Sequence, residues 1–203
     1  LGCPQVKGVV GFRQLFAFAI GQIGRKLYEF LMPTSEHCAT MKQTEFSTAP
    51  ASIALYGGSF DPVHCAHLCV AAAALQQINL DQVLFIPAAQ SPLKTNTAVA
   101  SDAQRIEMLR LAIAEEPRFM LDSSEIDRGG RSYTIDTVTA YRLKYPACKL
   151  HWIIGADQFE LLPQWHKIED LASLVTFIVV GRPGHSTSKT LVPGLKYLTI
   201  EAP

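Results

Sequence analysis

The stretch Ile53-Ala-Leu-Tyr-Gly-Gly-Ser-Phe-Asp-Pro-Val-His-Cys-Ala-His67 decides the fold of this chain. Its apolar start predicts a buried strand that stops at two glycines, and an alanine-rich helical segment follows the histidines. A strand, a tight glycine turn and a helix start form a cradle for phosphate, because backbone N–H groups and the positive helix end face the anion. His64 and His67 are three residues apart, so a helix places both imidazoles on one face, roughly 5 Å apart along its axis. We therefore expect chemistry on a nucleotide at this turn.

From residue 53 onward, strand-like and helix-like segments alternate. This alternation predicts an α/β fold with a Rossmann-like doubly wound parallel sheet and right-handed crossovers. Ligands of such sheets bind at the carboxyl ends of the strands, and the notable polar residues follow predicted strands. The predicted strands are 53–56, 82–87, 119–126, 150–154, 175–180 and 197–200, and the predicted helices are 64–78, 101–114 and 132–143.

Composition narrows the class of protein. The 203 residues are 48% apolar and 18% charged, which is typical of a globular chain with a sizeable core. The formal net charge is zero, so no global field attracts nucleic acid or anionic lipid, and any phosphate site must be built locally. The five cysteines follow no disulfide pattern, which favours reduced thiols in the cytoplasm. Cys65 and Cys69 are one helical turn apart, but no second ligand pair supports a zinc site.

The first fifty residues differ in character from the rest. Apolar residues recur at helical spacing between positions 12 and 31, yet polar residues interrupt a run that is too short to span a bilayer. We expect residues 1–50 to be a helical appendage or linker of unknown role ahead of a single domain at 51–203. Docking to a lipid surface or a partner, and read-through upstream of a start at Met41, stay open as alternatives.

Five segments together resemble one family. The segment from Gly57 to His67 resembles the signature of the nucleotidyltransferase superfamily with the H-x-G-H motif. Further segments narrow the resemblance to bacterial nicotinate-nucleotide adenylyltransferases, which implies adenylyl transfer from ATP to nicotinate mononucleotide in NAD biosynthesis, with deamido-NAD and pyrophosphate as products. These segments are Ser132-Tyr-Thr-Ile-Asp-Thr137, Ile154-Gly-Ala-Asp157, Pro163-Gln-Trp165 and Gly181-Arg-Pro-Gly184.

Two departures from the family pattern keep alternatives open. Ala66 stands where the motif has glycine, and its methyl group is expected to crowd the nucleotide. The family's I-S-S/T-T-x-x-R segment is expected where the sequence reaches Pro203, so we expect the domain at 51–203 to be shortened at its C-terminus. The alternatives are a nucleotidyltransferase with a phosphopantetheine or a sugar or polyol phosphate acceptor, and a catalytically impaired nucleotide-binding remnant.

Adenylyl transfer needs positioning and charge neutralisation more than covalent help from the protein. We predict that His64 and His67 are the catalytic pair and donate hydrogen bonds to the ATP phosphates, with His67 at the α-phosphate. The other residues predicted to bind ATP through phosphate or ribose are Gly57, Gly58, Ser59, Phe60, Lys94, Asp157 and Arg182. Mg²⁺ is expected with ATP, held mostly by phosphate oxygens and water, with no protein metal site.

The acceptor is expected to meet a second group of residues. Tyr133 and Thr134 at a helix start offer donors to the nicotinate carboxylate, and Trp165 is the candidate for stacking on the pyridine ring. No nucleic-acid or membrane partner is expected, and a homo-oligomer stays possible. Three residues receive structural interpretations: Asp61 as a turn residue, Arg105 as a surface ion-pair residue and Trp152 as a core residue.

Overall fold

The fold is a six-stranded parallel sheet, seen in a computed structural model that describes residues 49–93, 98–181 and 192–202. The strand order is β3-β2-β1-β4-β5-β6, and every neighbouring pair is parallel. The predicted doubly wound sheet is therefore confirmed. The strands are β1 (Ser52–Gly58), β2 (Gln82–Pro87), β3 (Phe119–Leu121), β4 (Lys149–Gly155), β5 (Thr176–Gly181) and β6 (Tyr197–Glu201).

Helices cover both faces of the sheet. Ile53 and Leu55 of β1 face a core shared with α4 and α6, whereas Ala54 faces a core shared with α1 and α2. This alternation follows from the two-residue period of a strand, and both sets of residues are apolar because both faces are covered. The helices are α1 (Cys65–Ile78), α2 (Asp102–Ala112), α3 (Ser124–Arg128), α4 (Thr134–Lys144), α5 (Ala156–Glu160) and α6 (Ile168–Leu174), with a 3₁₀ turn at Leu162–Gln164.

The sheet has its topological switch point between β1 and β4. The chain runs outward from β1 through β2 to β3, returns to the centre at β4, and then runs outward to β6 on the other side. The crossovers therefore leave the carboxyl ends of β1 and β4 in opposite directions. In doubly wound sheets such a divergence creates the crevice in which ligands bind, so we expect the crevice between β1 and β4.

One predicted strand is wrong in its extent. The segment expected at 119–126 pairs as a strand only to Leu121, and α3 begins at Ser124. The Asp122 carboxylate accepts the Ser124 backbone N–H at 2.8 Å, so local side-chain bonding turns the chain away from the sheet. The short elements α3, α5 and α6 have no counterpart among the predicted elements.

Other predictions have mixed outcomes. Trp152 is 4% exposed, which confirms it as a core residue. Residues 1–48, and with them nearly all of the predicted appendage, lie outside the described residues, and so do Lys94 and Arg182. None of the helices in the described residues has the length and hydropathy that crossing a bilayer requires.

Candidate active site

The carboxyl end of β1 requires glycine at Gly57 for a steric reason. A Cβ atom at this position would lie 2.5 Å from Cζ2 of Trp152, so any side chain would displace the indole from the core. The Gly58 carbonyl accepts the Ala88 N–H at 2.9 Å, which ties the end of β1 to the chain that leaves β2. Phe60 follows with a positive φ of 47° and a buried ring. The turn is thus held in place by the chain after β2 and by the buried ring of Phe60.

Arg105 is hydrogen-bonded to this turn from a buried position. The prediction that Arg105 lies on the surface is therefore wrong. The side chain is 1% exposed, and its Nη1 donates to the Ser59 carbonyl oxygen at 2.7 Å while Nη2 donates to Asp102 at 2.6 Å. Leu109 lies one helical turn after Arg105, on the same buried face of α2. The Arg105 side chain therefore points into the protein. The missed signal is the spacing of four residues between Arg105, Leu109 and Ile113, all of which are buried.

Asp61 joins the turn to the segment ahead of α2. Its carboxylate oxygens accept the backbone N–H groups of Val99 at 2.5 Å and of Ala100 at 3.0 Å. Asp61 therefore has a structural role in the described residues. Together, Arg105 and Asp61 attach the turn between β1 and α1 to the start of α2.

The two histidines stand at the start of α1 with their rings together. His64 is the N-cap residue, and its ring centroid lies 3.8 Å from that of His67. The His64 backbone N–H donates to Nδ1 of His67 at 3.2 Å. Because Nδ1 accepts, the neutral His67 ring carries its proton on Nε2, which makes that atom a donor. His64 is exposed and His67 half-buried, so the pair borders solvent.

Aromatic side chains surround His67. The Phe60 and Tyr56 rings lie 5.0 Å and 6.0 Å from the His67 ring. Burial raises the pKa of Tyr56 to about 12, and the nearby Asp157 carboxylate adds to the shift. Tyr56 therefore stays a neutral phenol over the physiological pH range. Sequence reasoning missed this residue, although its place on the face of β1 opposite Leu55 is a signal that could have found it.

Asp157 reaches the same edge from β4. Gly155 ends this strand and caps α5, and Asp157 lies in the first turn of that helix. A Cβ at Gly155 would lie 2.5 Å from Oδ1 of Asp157, so the glycine leaves room for the carboxylate to fold back over the strand end. The Asp157 side chain is exposed, and its charge acts on Tyr56 of β1. The structure thus brings Asp157 to the histidine side of the crevice.

The residues predicted for the acceptor meet on the other face of the sheet. Tyr133 is the N-cap of α4, Thr134 is its first residue, and the Tyr133 ring lies 4.5 Å from that of His166. Trp165 contacts Phe177 of β5 at 6.2 Å between ring centroids, and its Nε1 is buried without a hydrogen-bond partner among the described residues. Tyr133 and Trp165 pack against one core cluster. Sequence reasoning missed His166, which follows the predicted stacking residue directly.

Comparison with known proteins decides the family. Residues 55–201 match the cytidylyltransferase-like family. The nicotinate-nucleotide adenylyltransferase of Bacillus subtilis is 45% identical over 132 residues, which are 65% of this chain and 70% of that protein. A protein named probable nicotinate-nucleotide adenylyltransferase in Opitutus terrae is 43% identical over 145 residues, which are 71% of this chain and 74% of that protein. The chain belongs to the nicotinate-nucleotide adenylyltransferase family.

Solved structures agree with this family at the level of the fold. Plasmodium falciparum nicotinic acid mononucleotide adenylyltransferase complexed with NaAD gives a TM-score of 0.60 at 21% identity, over 75% of each chain. The same enzyme complexed with APC gives a TM-score of 0.58 at 20% identity, again over 75% of each chain. These similarities support the Rossmann-like fold of this chain. At this level of identity they are evidence for the fold alone.

Ala66 is the departure of this adenylyltransferase from the H-x-G-H motif. The residue lies in the first turn of α1 between the two histidines, and it is exposed. Its methyl group therefore points to solvent and displaces no core atom. Among the described residues no group of three or more His, Cys, Asp or Glu side chains converges to hold a metal ion.

Proposed function

We infer that the protein transfers the adenylyl group of ATP to nicotinate mononucleotide and releases pyrophosphate and deamido-NAD. The membership of the family carries this conclusion, because the matched residues include the glycine turn, both histidines and the Trp165 segment. The strand order supports it, since the switch point lies between β1 and β4, where ligands of such sheets bind.

The reaction is an in-line displacement at phosphorus. A phosphate oxygen of the mononucleotide attacks the α-phosphorus of ATP, a new P–O bond forms, and the bond to the bridging oxygen of the β-phosphate breaks. The electron pair of that bond leaves with pyrophosphate. The protein's task is to align the two phosphates and to neutralise the charge that develops on the α-phosphoryl oxygens.

On the ATP side, we assign the phosphates to the β1 turn and the histidines. Backbone N–H groups of Gly58, Ser59 and Phe60 would bind the phosphates beside the start of α1, whose 14 residues provide a helix dipole. Nε2 of His67 is the donor for the α-phosphate, and His64 donates to the outer phosphates. Asp157 suits the ribose hydroxyls, because its carboxylate is exposed at a strand end. Lys94 and Arg182 stay predictions for phosphate binding.

On the acceptor side, we assign the nicotinate group to Tyr133, Thr134 and Trp165. The first turn of α4 offers N–H groups that have no partner within the helix, and a carboxylate accepts such donors where an amide nitrogen cannot. The Trp165 indole offers a face for stacking on the flat pyridine ring. This arrangement favours the acid over the amide form of the acceptor.

Magnesium enters this proposal as part of the substrate. ATP brings Mg²⁺ bound to its phosphate oxygens, and the protein aligns the complex through the turn and the imidazoles. We also propose a cytoplasmic setting, because Cys65, Cys69 and Cys148 are unpaired thiols. A homo-oligomer stays a prediction.

Pyrophosphate release tests the proposed function. The purified chain is incubated with MgATP alone, with MgATP and nicotinate mononucleotide, and with MgATP and nicotinamide mononucleotide. We expect release that depends on the acceptor and is faster with the acid, and deamido-NAD as the product by mass spectrometry. Release with phosphopantetheine or a sugar phosphate instead would support another nucleotidyltransferase.

ATP binding in calorimetry without any release would support the impaired remnant. An Ala66→Gly variant is assayed beside the wild type to test that outcome, because it restores the motif glycine without changing a core residue. A wild-type chain that turns over at a rate similar to the Ala66→Gly variant would show that the exposed methyl group is tolerated.

A further inference from the structure

A buried carboxylate lies next to the segment that begins α4. Glu125 of α3 is 3% exposed, and no Lys, Arg or His of the described residues lies within ion-pair distance of it. Burial raises the pKa of Glu125, while hydrogen bonds from Thr137 and Ser132 and the charge of Arg128 lower it in part. Buried carboxylates without a salt bridge are costly, so its position calls for a reason beyond packing.

Two hydroxyl groups are oriented by their other partners. Thr137 Oγ1 donates to Oε1 of Glu125 at 2.6 Å and accepts from Arg128 Nη2 at 3.4 Å. Ser132 Oγ accepts the Ala89 N–H at 2.9 Å, and hydrogen bonding from the Ser132 side chain lowers the pKa of Glu125. Each hydroxyl has one proton and already accepts from an N–H group, so each proton points to Glu125. The carboxylate thereby fixes both side chains at once.

Ser132 is the residue through which this network reaches the acceptor side. Its backbone N–H donates to the Gln90 carbonyl at 2.9 Å, so Ser132 is fastened to the chain after β2 by both backbone and side chain. The two residues that precede this segment, Gly129 and Gly130, have positive φ values of 69° and 70°. Ser132 thus anchors the chain directly before Tyr133, beside the bridge between Gln90 and Arg131.

We propose that Glu125 is a positioning residue for the acceptor nucleotide: through Ser132 and Thr137 it holds Tyr133 and Thr134 where the nicotinate carboxylate binds. This role rests on the proposed function, because it places the acceptor at the first turn of α4. Glu125 touches no substrate. It acts on acceptor binding and leaves the ATP side, built on β1 and α1, unchanged.

A carboxylate at position 125 can accept from both the Ser132 and the Thr137 hydroxyl, whereas an amide of the same shape cannot. Both Glu125 oxygens accept, so both hydroxyl protons find an acceptor. In Glu125→Gln only the amide oxygen accepts, so a hydroxyl that faces the amide nitrogen loses the acceptor for its proton. A buried polar group left without its partner shifts toward another geometry or toward water. The expected result is a Ser132–Thr134 segment that is still folded but less precisely held.

The kinetic test compares Glu125→Gln with Glu107→Gln, which removes an exposed carboxylate on α2. We expect Glu125→Gln to raise KM for nicotinate mononucleotide about ten-fold, with KM for ATP changed less than about two-fold. Glu107→Gln should match the wild type. Equal increases in both KM values, or wild-type kinetics, would overturn the positioning role.

A second measurement does not depend on turnover. Amide hydrogen exchange in Glu125→Gln should accelerate in peptides covering residues 131–137 and stay at the wild-type rate in peptides covering residues 53–67. Uniform acceleration would indicate a general loss of stability and would contradict the proposal. If the wild-type chain adenylylates neither mononucleotide, the proposed function fails, and the exchange pattern alone then decides whether Glu125 holds this segment.

A double variant tests whether Glu125 and Ser132 act as one unit. The Ser132→Ala change removes one of the two hydroxyls. If the two residues work together, Glu125→Gln combined with Ser132→Ala should raise KM for the mononucleotide no more than the larger single change does. Additive effects would show that Ser132 does not transmit the influence of Glu125.

Discussion

The Arg105 guanidinium donates to the Ser59 carbonyl oxygen at 2.7 Å, and these two residues are 46 positions apart in the chain. The bond connects α2 to the turn that follows β1, and it does so from a side chain that is 1% exposed. This bond fixes the direction of the Ser59 carbonyl and, with it, the orientation of the neighbouring peptide groups in the turn. The turn's conformation therefore depends on a cation that never needs to meet the substrate.

We expect Arg105→Met to destabilise the protein and to weaken ATP binding. The variant keeps the buried volume but leaves the Ser59 carbonyl without its donor, which costs about 2–3 kcal/mol in unfolding free energy. KM for ATP should rise more than KM for the mononucleotide, because only the β1 turn loosens. Urea unfolding and steady-state kinetics measure the two effects.

Arg110→Met is the matched control, since Arg110 also pairs with an acid three residues away on α2 but is exposed. Its unfolding midpoint and kinetics should equal those of the wild type, because exposed pairs contribute little. Equal destabilisation by the two variants would mean that the bond to Ser59 is unimportant.

His67 is predicted to act on the transition state more than on bound ATP. The His67→Ala variant should lower kcat about 100-fold and change KM for ATP less than about three-fold, because a donor to the α-phosphate matters most as charge develops there. His67→Gln places an amide N–H near the former Nε2 and should recover part of the rate, whereas His67→Asn should not. A variant with normal kcat and a raised KM would assign His67 to ground-state binding.

Local sequence signals predicted the centre of the fold, and long-range contacts decided the rest. The strand, glycine turn and helix from Ile53 to Ile78 are encoded by neighbouring residues, so their prediction is confirmed almost to the residue. Arg105 was misplaced because its partner Ser59 is distant in sequence. The end of β3 was misplaced because the apolar pattern continues to Ile126 while the Asp122 side chain has already turned the chain. Where an apolar pattern and a polar side chain compete, the pattern alone does not reveal the outcome.

The same contrast applies to the site. Short motifs predict the histidine pair and the residues for the acceptor, whereas no motif marks Tyr56 or Glu125. The raised pKa of Tyr56 comes from its burial and from Asp157, which follows a different strand. The hydroxyl partners of Glu125, Thr137 and Ser132, both lie beyond the two glycines that follow α3. Residues that position others are recognised only when the sheet brings their partners together.

His151 is predicted to make stability depend on pH below neutrality. This residue of β4 is 7% exposed, with Nδ1 at 3.2 Å from the Ile53 carbonyl oxygen. Burial lowers the pKa of His151 from its ordinary value of 6.5. The fold thus favours the neutral ring, so its contribution is complete above pH 6.5 and is lost as the pH falls from 6.5 through the lower pKa of the folded state.

Urea unfolding of the wild type and of His151→Gln between pH 8 and pH 5 measures this contribution. The wild type should lose stability relative to the variant below about pH 6.5, with a slope of at most about 1.4 kcal/mol per pH unit. The result is the difference in unfolding free energy between the two proteins at each pH. This difference cancels the effect of Glu125, whose raised pKa stabilises both proteins as the pH falls, opposite to the effect of His151. Parallel curves across this range would mean that the His151 ring is already protonated, or equally solvated, in the folded state, and its burial would then have no influence on the acid limit of stability.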